Sequence, residues 1–215
     1  MATLSLSGPL VGVGVDIVEN GRVSARVAAR IFTATEREAF SGRREVPFAG
    51  REAVLKAVGG PGVLGAPLRE MCIAWDDGRL RLDPGPRYQA IMAGRGVAEV
   101  RLALLALDED HTLVSCVAAG LGAPEDVRVA WALRAVGEAD EERLSPTERA
   151  AARGRPASIA TRCAAREAGS LVFGGASFDV AGGIDLPPTI ASARAGFVSL
   201  AHEKRLAVAL VATRA

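Results

Sequence analysis

Three side chains within the first 56 residues are of the types that handle phosphates: Asp16, Glu52 and Lys56. Carboxylates are hard oxygen donors, suited to a Mg²⁺ ion bound together with substrate phosphates. Glu52 and Lys56 stand four apart, so on a helix they share a face. One can hold metal while the other reaches a phosphate oxygen or the reacting group. A fourth residue, His202, lies far along the chain and could hydrogen-bond a phosphate or assist proton transfer. Taken singly, each has a plainer reading. An acid at a strand end caps a helix, and Glu52 with Lys56 makes an ordinary surface pair. Glu19 could be a further metal ligand, but reads first as a first-turn helix acid favoured by the dipole. His111 reads as a solvated turn residue.

The segments carrying these residues have clear periods. LVGVGVDIV (10–18) alternates Val with Gly, as a strand with one tightly packed face does, and plants Asp16 at its edge. GRVSARVAARIF reads as a helix on Val23, Val27 and Ile31, with Arg22, Arg26 and Arg30 as a basic stripe on another face. Thr33 or Thr35 caps TEREAF. FAGREAVLKAVGG is a helix that carries Glu52 and Lys56 and is ended by Gly59, Gly60 and Pro61. Residues 68–83 form a hairpin about Asp77-Gly78. Residues 86–95 are helical, and 99–119 supply two strands joined by DED.

GLGAPED (120–126) is a small-residue linker, after which the pattern restarts. VRVAWALRA resembles VGVGVDIVE, with Ala132 opposite Asp16. LSPTERAAA resembles FTATEREAF. RCAAREAGSLVFGG resembles PFAGREAVLKAVGG, with Glu167 opposite Glu52 and Leu171 opposite Lys56. FVSLAHEKRLAVALVA resembles RLALLALDEDHTLVSCVA, with His202 opposite Asp108. Four matches in one order indicate an internal duplication. The expected division is a first half over 1–121 with the acids and lysine, and a degenerate second half over 122–215 that supplies His202. Each copy is near the small end for an independent core, so the two are expected to pack face to face. Complementary losses point to one composite site between them.

Composition bounds the rest. Hydrophobic residues make up 49% of the 215 and charged residues 24%, an ordinary globular balance. A formal net charge of +1 argues against a nucleic-acid binder running on bulk charge. Cys72, Cys116 and Cys163 form no CxxC pair and suit a reducing cytosol. No signal peptide and no membrane-spanning apolar run is seen, so a cytoplasmic protein is expected. Of 26 basic residues only Lys56 and Lys204 are lysines.

Together, VGVGVDIVENGRV, RIFTATEREAF, FAGREAVLKAVGGPGVLG and the closing SLAH resemble the 4′-phosphopantetheinyl transferases, especially the holo-acyl-carrier-protein synthase type. The family's helix motif is K-E-A-x-x-K. Here it reads REAVLK, with Arg51 in place of the first Lys. The closing S-(I/L)-S-H reads Ser199-Leu200-Ala201-His202, in the second half only. The resemblance implies an α+β fold with two similar α/β halves packed as a pseudo-dimer. Relatives built as tandems place the His in the first half and the acids in the second, the reverse of this order.

The implied reaction moves 4′-phosphopantetheine from coenzyme A to a serine of an apo acyl or peptidyl carrier protein, with Mg²⁺. Asp16 and Glu52 would be metal ligands. Lys56 would contact phosphate or activate the serine, and His202 would contact coenzyme A across the interface. Arg43, Arg44 and Arg51 are further candidates for coenzyme A phosphates. Arg22, Arg26 and Arg30 would dock the carrier's acidic helix by charge. The other reading is a non-catalytic descendant that binds a carrier protein or coenzyme A.

Overall fold

The computed structural model describes residues 1–59, 68–107, 109–138, 140–182, 188–192 and 195–215. Gly60, Pro61 and Asp108 lie outside the described residues. The elements run β1 (Ala2–Leu6), β2 (Leu10–Glu19), α1 (Ala25–Ile31), α2 (Ala34–Ala39), α3 (Glu45–Val58), β3 (Met71–Asp76), β4 (Arg79–Pro84), α4 (Pro86–Gly94), β5 (Val97–Leu107) and β6 (His111–Gly120). They continue with β7 (Glu125–Ala135), α5 (Pro146–Ala152), α6 (Pro156–Phe173), β8 (Phe178–Ala181), β9 (Thr189–Ser192), β10 (Gly196–Glu203) and β11 (Leu206–Arg214).

Two antiparallel sheets stand back to back. One has the order β2-β6-β5, the other β1-β7-β11-β10. Side chains alternate along each strand, so each sheet has two apolar faces to cover. Val13, Val15 and Ile17 of β2, with Leu113 and Val117 of β6, pack against Val127, Ala201, Val208 and Leu210 of the other sheet. The opposite face of the first sheet, through Val18, Val114 and Cys116, is covered by Ala53, Val54 and Ala57 of α3. Ala164, Ala165, Ala168 and Val172 of α6 cover Ala130, Ala132, Ala209 and Val211 of the second sheet. The result is four layers, helix–sheet–sheet–helix, which is the expected α+β pseudo-dimer.

The alternating glycines of β2 have a steric reason. A Cβ on Gly12 would lie 2.0 Å from the Ala57 carbonyl oxygen, and one on Gly14 would lie 1.8 Å from that of Ala53. The helix therefore rests directly on the strand backbone. This close approach brings α3 side chains to the level of Asp16.

The duplication extends to buried polar contacts. Thr33 caps α2 and Ser145 caps α5, each in a capping box with the Glu three residues on. Glu36 pairs with Arg51 at 2.6 Å and accepts the Ile73 backbone N–H at 2.7 Å. Glu148 pairs with Arg166 at 2.6 Å and accepts that of Val180 at 3.0 Å. In both halves a buried capping carboxylate ties the long helix to the edge of a hairpin.

Two expectations change and one holds. β1 pairs with β7, so the first residues of the chain lie in the sheet of the second half. Placed at the free edge of β7, they satisfy its ladder and bind the halves together. The helix expected over GRVSARVAARIF begins only at Ala25, because Ser24 turns back to accept the Val27 N–H. Arg22 is therefore off the helix and the three-arginine stripe is broken. The hairpin at Asp77-Gly78 forms as expected, both residues having positive φ (46° and 74°).

Candidate active site

Asp16 is the one carboxylate in the middle of β2, on the face covered by α3. The Lys56 ammonium donates to its Oδ1 at 2.7 Å and to the Val15 carbonyl at 2.9 Å. β2 is the outer strand of its sheet, so the polar groups of Val15 facing away from β6 need partners from elsewhere. Lys56 takes the carbonyl. The Val15 N–H donates to Ser199 Oγ of β10, at 3.0 Å. A side chain from each half thus fixes Val15, the residue before Asp16.

The electrostatics mark this place as costly. Burial pushes the Asp16 carboxyl up from its ordinary value, against the charge and hydrogen bond of Lys56. The Glu203 charge adds to the rise, and Arg22 opposes it. Glu52, one helical turn from Lys56, is raised by burial and then by the charge of Asp16, with Lys56 opposing. A buried carboxylate whose ionisation is disfavoured by a second carboxylate is what a divalent cation relieves. Asp16 and Glu52 would suit a Mg²⁺ ion, with water and phosphate oxygens as its remaining ligands. Among the described residues no group of three His, Cys, Asp or Glu side chains is arranged to hold a metal.

The remaining sequence-predicted residues are distributed differently. His202 is exposed and stands on the α6 face of the second sheet, in register with Ala207 and through it with Arg134. It is not brought to Asp16. The residue that β10 turns toward the first half is its neighbour Glu203, which pairs with Arg22. Glu203 and Ser199 are what the sequence reading missed. Their signal was the strand period itself, which puts Ser199, Ala201 and Glu203 on one face and His202 on the other.

Arg51 is no surface ligand. It is 2% exposed, and it donates to Glu36, to the Leu68 carbonyl and to the Pro47 carbonyl. Its guanidinium lies 4.8 Å from the centre of the Phe32 ring. A cation so consumed holds the fold and does not meet a solvent-borne phosphate. Arg44 caps the start of α3, about 12 Å along the axis from Glu52, and Arg43 precedes it. Arg26 and Arg30 are exposed on α1. Glu19 pairs with Lys204 at 2.6 Å, and Glu167 with Arg134. His111 begins β6 opposite Glu19.

With this geometry in hand, comparison with known proteins points one way. Residues 12–112 match the family model of the 4′-phosphopantetheinyl transferase superfamily. This portion, which holds β2, α3 and the Asp16–Glu52–Lys56 cluster, is similar to that superfamily. A holo-[acyl-carrier-protein] synthase from Beutenbergia cavernae is 41% identical over 59 residues, covering 25% of this chain and 51% of the relative. The match spans about half the length of that relative. The holo-[acyl-carrier-protein] synthase of Neisseria meningitidis is 28% identical, over 51% of this chain and 98% of its own, with a TM-score of 0.43. That of Helicobacter pylori, solved with coenzyme A, is 17% identical over 50% of this chain and 99% of its own, TM-score 0.42.

Proposed function

We propose that this protein transfers 4′-phosphopantetheine from coenzyme A to a serine hydroxyl of an apo acyl or peptidyl carrier protein, with Mg²⁺, at a single site in its first half. The observation that carries this is the Lys56 ammonium, 2.7 Å from Asp16 and one helical turn from Glu52, inside the portion that matches the transferase superfamily. Asp16 and Glu52 would hold Mg²⁺, which neutralises charge on the coenzyme A pyrophosphate when bound. Lys56 spends two donors on Asp16 and Val15 and has a third for a phosphate oxygen. The serine oxygen attacks the β-phosphorus, the bond to the bridging oxygen breaks, and 3′,5′-ADP leaves as the serine proton is released. Such a transfer asks for positioning and charge neutralisation more than for covalent chemistry.

Among the described residues, the second half offers no equivalent centre. Ala132 and Leu171 stand where Asp16 and Lys56 stand, and Glu167 is taken by Arg134. Its support for the proposal is the Ser199 hydroxyl under Val15. The test is release of 3′,5′-ADP from coenzyme A by the whole chain with an apo carrier protein, with and without Mg²⁺. Release that needs both supports the reading. Coenzyme A binding with no release from any carrier tried favours the non-catalytic descendant.

A further inference from the structure

The turn between β2 and α1 is held from two sides. On its own side, Glu45 of α3 accepts the backbone N–H groups of Gly21 at 2.9 Å and Val23 at 3.3 Å. This fixes the backbone on both sides of Arg22. From the other half, Glu203 at the end of β10 takes the Arg22 guanidinium, and its neighbour Lys204 takes Glu19. The two ion pairs differ in character. Lys204 and Glu19 are well exposed, and such pairs contribute little. The Glu203 side chain is 8% exposed, whereas that of Arg22 is 58% exposed. A buried carboxylate thus grips one edge of a largely exposed cation in the turn that follows β2. Guanidinium has five N–H donors in a rigid fork, so an anchored edge aims the free edge.

We infer that Glu203 is a positioning residue supplied by the second half: it aims Arg22, in the turn that follows the Asp16 strand, at an acidic group of the carrier protein. This rests on the transferase reading above and names the way the second half takes part in it. The role differs in sign from simple charge. Glu203 cancels the charge of Arg22, so on net charge alone its loss would strengthen binding of an acidic partner. If it aims Arg22, its loss weakens that binding.

The experiment is steady-state turnover of apo carrier protein by the whole chain, with KM for carrier and for coenzyme A measured separately. Glu203→Gln is expected to raise the carrier KM about fivefold or more, with kcat and the coenzyme A KM little changed. Glu203→Asp restores part of the loss. Lys204→Ala, which removes the other ion pair at the same turn, leaves all three constants unchanged. Should Glu203→Gln fail to fold, Arg22→Lys serves instead. It keeps the charge and the pairing but loses the fork, and it is expected to raise the carrier KM in the same way. A folded Glu203→Gln, or Arg22→Lys in its place, with a carrier KM equal to or below that of the parent overturns the inference. No turnover by the parent chain overturns the transferase reading and this inference with it.

Discussion

Replacing Gly14 by alanine adds one methyl group where the strand backbone meets the backbone of α3. An ideal Cβ there sits 1.8 Å from the Ala53 carbonyl oxygen, 2.7 Å from its carbon and 2.9 Å from the Ala57 nitrogen. All three atoms are helix backbone, so no rotamer change relieves the overlap. Carbon and oxygen need roughly 3.2 Å, so α3 must retreat from β2 by about an ångström or more. The retreat opens the layer formed by Ala53, Val54 and Ala57 and draws Lys56 away from Asp16. Overpacking a core costs about 1–3 kcal/mol, and a backbone-to-backbone clash belongs at the upper end. For a chain of this size about 3 kcal/mol lowers Tm by roughly 6–12 °C. Gly94→Ala is the control, because a Cβ there meets nothing within 4 Å. Thermal unfolding of both variants, followed by circular dichroism, is the assay. A Gly14→Ala protein that melts with the parent refutes the claim that α3 is seated on the strand backbone.

Other outcomes follow from the same structure. Tyr88 is fully buried and its hydroxyl is without a hydrogen-bond partner, so Tyr88→Phe should raise stability by about 1 kcal/mol in urea unfolding. Arg51→Ala leaves Glu36 buried and unpaired, and should cost about 3–5 kcal/mol by the same measurement. The pH dependence follows from Glu52, whose carboxyl is held above its ordinary value by burial and by Asp16. Ionising it costs the folded chain more than the unfolded one, so stability is lost as pH rises through that raised value and stays lost above it. Glu52→Gln should therefore melt higher than the parent at neutral pH, with the gap closing toward about pH 4. An equal gap at both pH values would count against the charge assignment.

Much of the fold was legible because local chemistry and global packing agree. Alternating glycines in β2 announced a tightly packed face, and the structure seats Ala53 and Ala57 there. The capping residues Thr33 and Ser145 and the Asp77-Gly78 turn act within a few residues of themselves, where sequence is most informative. What was not legible depends on partners distant along the chain. Nothing in ATLSL says that β1 will pair with β7 instead of its own half. Arg51 looks like a phosphate ligand until Glu36 and the Leu68 carbonyl are seen around it. Ser24 could continue a helix or cap one, and capping it moved Arg22 into reach of Glu203. In the closing strand, the histidine drew attention as the chemically versatile residue. Strand alternation turned its neighbour toward the first half instead.

The central claim is that one site, built on Asp16, Glu52 and Lys56, carries the transfer. The most direct measurement is the mass of an apo carrier protein after incubation with coenzyme A, Mg²⁺ and each of three proteins: the parent chain, Lys56→Ala and His202→Ala. The account predicts a gain of one phosphopantetheine with the parent and with His202→Ala, and none with Lys56→Ala. A gain with Lys56→Ala equal to the parent's, or its loss in a folded His202→Ala, would contradict it.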